Sequence, residues 1–143
     1  MAARLKQTEI ADTTPDPAND RAGQFSELEE VPLVNGQNGE RIGTCYKTTN
    51  GINRTGILPM SGVTYTLRPK KVKDTLEIEK AMGGSEAMMS RIMEQTARVL
   101  SRTVIGWDDQ PNVTKSQLDD LYDEDFEHLM LVIASFRSAG QQR

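Results

Sequence analysis

Apolar positions keep one rhythm over residues 29–67 and another over residues 70–137. In the first part they fall in short alternating runs cut by turn dipeptides. Val31-Pro32-Leu33-Val34 is followed by Asn35-Gly36 and Asn38-Gly39, and Asn50-Gly51 marks a further turn. Asn-Gly supplies the positive φ angles of tight hairpins. The segment 41–47 reads as a return strand. Val63, Tyr65 and Leu67 alternate with Thr64 and Thr66, so the run from Val63 to Leu67 is a strand with one apolar face. Pro32 and Pro59 each remove a ladder donor and argue against a central position for their strands. A small antiparallel sheet of two to four short strands is expected.

Beyond Arg68-Pro69 the spacing turns helical. Proline pushes the residue before it out of the α region, so the strand ends there. Asp74 caps or enters a short helix through Met82, and Gly83-Gly84 stops it. Ser85 is the N-cap of the next helix, with Glu86 in its first turn. Met88, Ile92, Val99 and Leu100 trace its apolar stripe, flanked by Met89, Met93 and Val104. Glu94 and Arg98 form an i, i+4 pair. This helical stretch extends to Ile105, and Gly106-Trp107-Asp108-Asp109 reads as a loop in which Trp107 wedges between elements. Thr114-Lys115-Ser116-Gln117 is a capping box opening a short helix. Asp123 caps a last helix whose core stripe is Phe126, Leu129, Met130, Ile133 and Phe136. Leu131 and Val132 widen that face beyond what one small core needs, which suits a helix either buried on several sides or shared with a partner. The fold class is therefore α+β: a small antiparallel sheet, then a helical bundle of about four helices.

The domain organisation follows from where periodicity is missing. Residues 1–28 contain Thr13-Thr14-Pro15-Asp16-Pro17 and have no apolar rhythm. They cannot bury enough surface to offset their ordering entropy and read as a flexible arm, whose end Phe25 and Leu28 could anchor. Residues 29–137 read as one α+β domain, with hairpins over 29–68 and helices over 70–137. Residues 138–143 read as a frayed tail.

Charge adds a segregation that the net value of −4 conceals. Residues 1–30 carry 3 basic and 7 acidic groups, residues 31–107 carry 11 and 6, and residues 108–143 carry 3 and 8. Acidic helices packing beside the basic middle, within a chain or between copies, use this asymmetry most simply. Nucleic acid is the less favoured partner for the middle segment, which has no glycine-rich loop and no interleaved aromatics.

Candidate chemistry is sparse. One cysteine, Cys45, and one histidine, His128, exclude an intrachain disulfide and a Cys/His zinc site within a single chain. Cys45 sits in a strand-like run and reads as a small buried hydrophobe. The acidic run Asp119, Asp120, Asp123, Glu124, Asp125 and Glu127 fails the calcium-loop pattern, because His128 stands where glycine is required. Capping and a solvated face account for these carboxylates. Asp108-Asp109 reads as a capping loop rather than a metal pair. No catalytic residue, no cofactor and no metal site is assigned, and the chain reads as a binding or assembly protein, not an enzyme. No apolar run reaches the length of a membrane helix and no signal core opens the chain, so a soluble protein of a reducing compartment is expected.

Two motifs carry a family resemblance. Thr64-Tyr65-Thr66-Leu67-Arg68-Pro69-Lys70-Lys71-Val72-Lys73-Asp74 has a strand ending in Leu-Arg, a nearby proline and a helix start of the form Val-x-Asp. The segment from Ser116-Gln117-Leu118-Asp119 through Asp123-Glu124-Asp125-Phe126 to Ile133-Ala134-Ser135-Phe136 has a Leu-Asp step, an Asp-x-Asp turn and an apolar helix. Over residues 62–137 the chain resembles the tail assembly chaperones of long-tailed bacteriophages. The polar arm and extra turns of residues 1–61 depart from that pattern. The resemblance implies a small, mostly helical protein of the host bacterial cytoplasm, absent from the mature virion, that binds the tape-measure protein and tail-tube subunits during tail morphogenesis. The tape-measure protein is a long helical polypeptide prone to aggregate. A homo-oligomer is expected, with no membrane partner. The client surface is assigned to Met89, Met93, Leu131 and Val132. The alternative is a structural virion component, a tail or head–tail connector protein whose arm contacts neighbouring subunits.

Overall fold

The computed structural model describes residues 25–34 and 37–141, with side chains as far as residue 137. The arm assigned to residues 1–28 lies outside these except for its last four positions, as does the turn at Asn35-Gly36. The fold is α+β. Five strands form one antiparallel sheet in sequence order: β1 (Glu30–Val34), β2 (Arg41–Lys47), β3 (Arg54–Ile57), β4 (Thr64–Leu67) and β5 (Val104–Trp107). The described helices are α1 (Val72–Met82), α2 (Ser85–Ser90), α3 (Ile92–Thr103), α4 (Lys115–Asp119) and α5 (Asp123–Gln141).

Pro32 sits on β1, an edge strand, where its missing N–H costs no ladder bond. Gly39 and Gly51 adopt φ of +72° and +75°, and the Asn50 carboxamide oxygen accepts from the Ile52 amide to close its turn. In β4, Tyr65 and Leu67 are buried and Val63 half-buried beside them, as the alternation requires. Phe25 stacks on Tyr46 with ring centroids 4.9 Å apart, anchoring the chain before β1 on the sheet.

The sheet has one strand more than expected, and it comes from residues assigned to the end of a helix and a loop. α3 stops at Thr103, and Val104–Trp107 turns back as β5 to pair with β4, Tyr65 opposite Trp107 and Thr66 opposite Gly106. The β-branched run Thr103-Val104-Ile105 favours a pleated half-buried surface, and β4 offers an open edge for it. The Asp108 carboxylate then accepts from the Thr64 amide at 2.9 Å, extending the ladder.

The helical stretch also breaks once more than its spacing indicates. At Arg91 (φ −122°, ψ 65°) the chain leaves helical geometry between α2 and α3. Arg91 donates to the Met82 carbonyl at 2.7 Å, satisfying an otherwise open group at the end of α1. The bend lets Met88 pack on Ile78, Met82 and Val99. The first stop is as expected: Gly83 is left-handed at φ 92°, and the Gly84 amide donates to the Glu79 carbonyl. Gly84 rather than Ser85 occupies the N-cap of α2. Thr114 is the N-cap of α4, its hydroxyl accepting from the Gln117 amide at 3.1 Å.

Sheet and helices meet at Asp74, which is 2% exposed. Its carboxylate accepts two bonds from Arg68 at the end of β4 (2.8 and 3.1 Å), one from Arg102 on α3 (3.0 Å) and one from the Lys71 amide ahead of α1 (2.8 Å). Arg68 also donates to the Arg102 carbonyl at 2.8 Å. The charge-assisted bonds hold the carboxyl well below its usual pKa range, Arg68 contributing most. Asp74→Asn leaves two facing guanidinium groups without their shared anion. It is expected to destabilise the fold by on the order of 3 kcal/mol, read as a lowered denaturation midpoint in urea.

A second tight point lies within the sheet. Tyr65, opposite Gly56, folds its ring over that glycine, and a Cβ there would collide with the Tyr65 hydroxyl. Gly56→Ala is expected to cost about 1–3 kcal/mol, lowering the melting temperature followed by circular dichroism.

Candidate functional site

α5 lays its buried face on the sheet, and that face is not purely apolar. Leu129 and Val132 are fully buried, but Asp125, His128 and Ser135 share the same line. The expected stripe through Phe126, Met130, Ile133 and Phe136 is only half-buried. The sequence reading rotated the helix because three polar residues occupy core positions. Each has a partner, as burial demands. Asp125 accepts from the Met60 and Ser61 amides at 2.8 and 3.0 Å, fastening the β3–β4 hairpin to the start of α5. His128 Nε2 meets the Tyr65 hydroxyl at 2.7 Å, and the two rings pack edge to face. Ser135 donates to the Val132 carbonyl at 2.6 Å.

These groups are structural. Burial lowers the His128 pKa from 6.5 to about 4, with the Asp125 charge opposing the shift, so the ring is neutral at physiological pH. Burial pushes the Tyr65 hydroxyl well up and the Cys45 thiol up to about 11. A raised thiol is a poor nucleophile. Among the described residues no three of His, Cys, Asp and Glu come together in a metal-binding group. No helix among them is long and apolar enough to cross a membrane.

The assigned client residues separate. Val132 is 0% exposed and lies within the main core, and Leu131 is half-buried against it. A partner could reach Val132 only by lifting α5 from the sheet. Met89 and Met93, by contrast, are 75% and 56% exposed. Ile92, between them, is 53% exposed, so the apolar edge of α2–α3 projects beyond the core.

Met93 opens onto a groove of about 640 Å³ between α3, α4 and the start of α5. Ala97, Leu118, Leu121 and Phe126 give it an apolar lining. Its rim carries two charge pairs, Glu94 with Arg98 at 3.1 Å and Lys115 with Asp119 at 3.0 Å, and the further carboxylate of Asp123. Exposed pairs of this kind add little to stability, and with Asp123 the rim carries both signs with one carboxylate in excess. The groove suits an apolar side-chain row rather than an ion. Its Met93 wall was legible as a residue flanking the α3 stripe. Phe126 was assigned to the core stripe of the last helix, and it packs against the core while also lining the groove, as Leu118 and Leu121 do.

Comparison of the chain with protein-family models, with curated proteins and with solved structures finds no match.

The neutral His128 makes a pH prediction. Its folded pKa lies below its unfolded value, so only the unfolded chain takes up this proton as pH falls from 6.5 to about 4. Stability is full above pH 6.5, declines across that window by about 3 kcal/mol, and levels off below it. Chemical denaturation at stepped pH is expected to show this decline in the native chain and a flatter profile in His128→Gln.

Proposed function

We propose that this chain is a tail assembly chaperone of a long-tailed bacteriophage, holding helical segments of the tape-measure protein in the groove edged by Met93. The observation that carries the reading is the exposed row Met89, Ile92 and Met93 running into an apolar-floored groove between helices. Laying an amphipathic helix into an apolar groove is a recurring mode of recognition, and methionine adapts to varied side chains. A long helical client with many similar apolar faces calls for such a surface. The resemblance over residues 62–137 supplies the identity of the client, with tail-tube subunits as the second one. The reading places the chain in the host cytoplasm during assembly, as a homo-oligomer.

The test is co-expression with the tape-measure and tail-tube proteins of the same phage, followed by size-exclusion chromatography with light scattering. Soluble co-migration with the tape-measure protein is expected. Met89→Asp plus Met93→Asp should weaken it roughly tenfold or more while leaving the melting temperature unchanged, since both side chains are exposed. Aspartates at Leu131 and Val132 would report on folding instead, because Val132 is core. A chain that ignores both clients, forms rings alone and is found in purified particles would overturn the chaperone reading in favour of a structural virion component.

A further inference from the structure

A second groove, of about 600 Å³, opens on the other flank of α3, between the β4–α1 junction and the end of α5. Its floor is apolar, with Val99, Met130, Ile133 and Phe136 among the lining residues. Every charged residue lining it is basic: Arg68, Lys70 and Arg137. Arg68 is neutralised by Asp74, but Lys70 and Arg137 are exposed and make no ion pair among the described residues. Lys71 and Lys73, both exposed, follow Lys70 in the chain.

A third cation lies beneath the floor. Arg54 is 3% exposed, and its guanidinium sits 4.7 Å from the centre of the Phe136 ring. Its Nε has no partner, and Arg54 makes no ion pair among the described residues. A buried cation lacking a counter-charge acts through a low-dielectric wall and adds to the positive potential above it. The groove therefore combines an apolar floor with charges of one sign, whereas the Met93 groove combines an apolar floor with a rim of both signs.

We propose that this basic groove docks an acidic amphipathic helix from another protein, its apolar side chains on the floor and its carboxylates against Lys70 and Arg137. The charge selects the partner's sign, and the floor requires apolar anchors. A second copy of this chain meets only half of that demand. Its acidic α5 start carries Asp123, Glu124 and Glu127 outside, but Leu129 and Val132 are committed to its own core. Nucleic acid would match the charge but leave the apolar floor unfilled. The site is separate from the Met93 groove, so it stands or falls independently of the chaperone reading.

The test uses the full chain and two labelled synthetic helical peptides with the same leucine and phenylalanine face, one with glutamates on its polar face and one with lysines. Fluorescence anisotropy is expected to show the glutamate peptide binding at least about tenfold more tightly, with the advantage shrinking as salt rises. Hydrogen exchange should slow over residues 130–137. Lys70→Glu plus Arg137→Glu, both at exposed positions, should reverse the preference, and Met89→Asp plus Met93→Asp should leave it intact. Equal binding of both peptides, no binding of the glutamate peptide, or indifference to the charge reversal would overturn the proposal. Two further outcomes would also overturn it: duplex DNA displacing the peptide, which assigns the groove to nucleic acid, and a dimer abolished by the charge reversal, which assigns it to a second copy.

Discussion

The fold depends on one buried carboxylate, that of Asp74. It is where the sheet hands the chain to the helices. Arg68 ends β4, Lys71 precedes α1 and Arg102 closes α3, and all three converge on Asp74. A buried ion pair is not in itself a large source of stability, because desolvation offsets much of the attraction. Its value here is geometric. The bidentate Arg68 fork fixes the angle at which the chain leaves the sheet, and the bond from Arg68 to the Arg102 carbonyl ties the end of α3 to the same point. With the end of α3 held there, β5 starts at Val104 beside Leu67 and the fifth strand can form.

The second joint links sheet and α5 through polar contacts rather than through apolar packing alone. Tyr65 reaches His128, and the β3–β4 hairpin reaches Asp125. Around these bonds Leu33, Leu58, Leu67, Leu100, Leu129 and Val132 form a shared core. An apolar face could slide along a sheet with little penalty. A helix pinned at Asp125 and at His128 has one register, and that register leaves Met130, Ile133 and Phe136 to line the basic groove.

What the sequence makes legible is local. The Asn50-Gly51 turn, the alternation in β4, the Gly83-Gly84 stop, the Thr114 box and the Glu94–Arg98 pair each depend on residues a few positions apart. β5 is not of that kind: Val104–Trp107 becomes a strand because β4 lies open beside it, and no window containing those residues includes β4. Asp125, His128 and Ser135 mislead for a related reason. Their polarity argues for exposure until the partners on other elements are known. Val132 was assigned to a client surface by the same logic that makes a wide apolar face look unpartnered. Its partner is the sheet. The Met93 groove was partly legible, since Met89 and Met93 flank the α3 stripe, but the basic groove joins Lys70 to Arg137 from opposite ends of the helical half.

The two motifs behind the family resemblance take on a specific physical meaning in this fold. Leu67-Arg68-Pro69 and Val72-Lys73-Asp74 surround the Asp74 clamp, and the Asp123-Glu124-Asp125 turn contains the carboxylate that fastens the β3–β4 hairpin. Both motifs therefore encode architecture: they set how strand, hairpin and helices meet. Both also reach the grooves, through Lys70 in the first and Phe126, Ile133 and Phe136 in the second, whereas Met89, Met93 and Arg137 lie outside both motifs. A chain could keep the Asp74 clamp and the Asp125 fastening while changing exposed groove positions such as Met93, Lys70 and Arg137. The chemistry of the two grooves is thus set by exposed positions on α3, the β4–α1 junction and the end of α5. There a substitution alters the groove surface while leaving untouched the buried polar bonds that hold the fold.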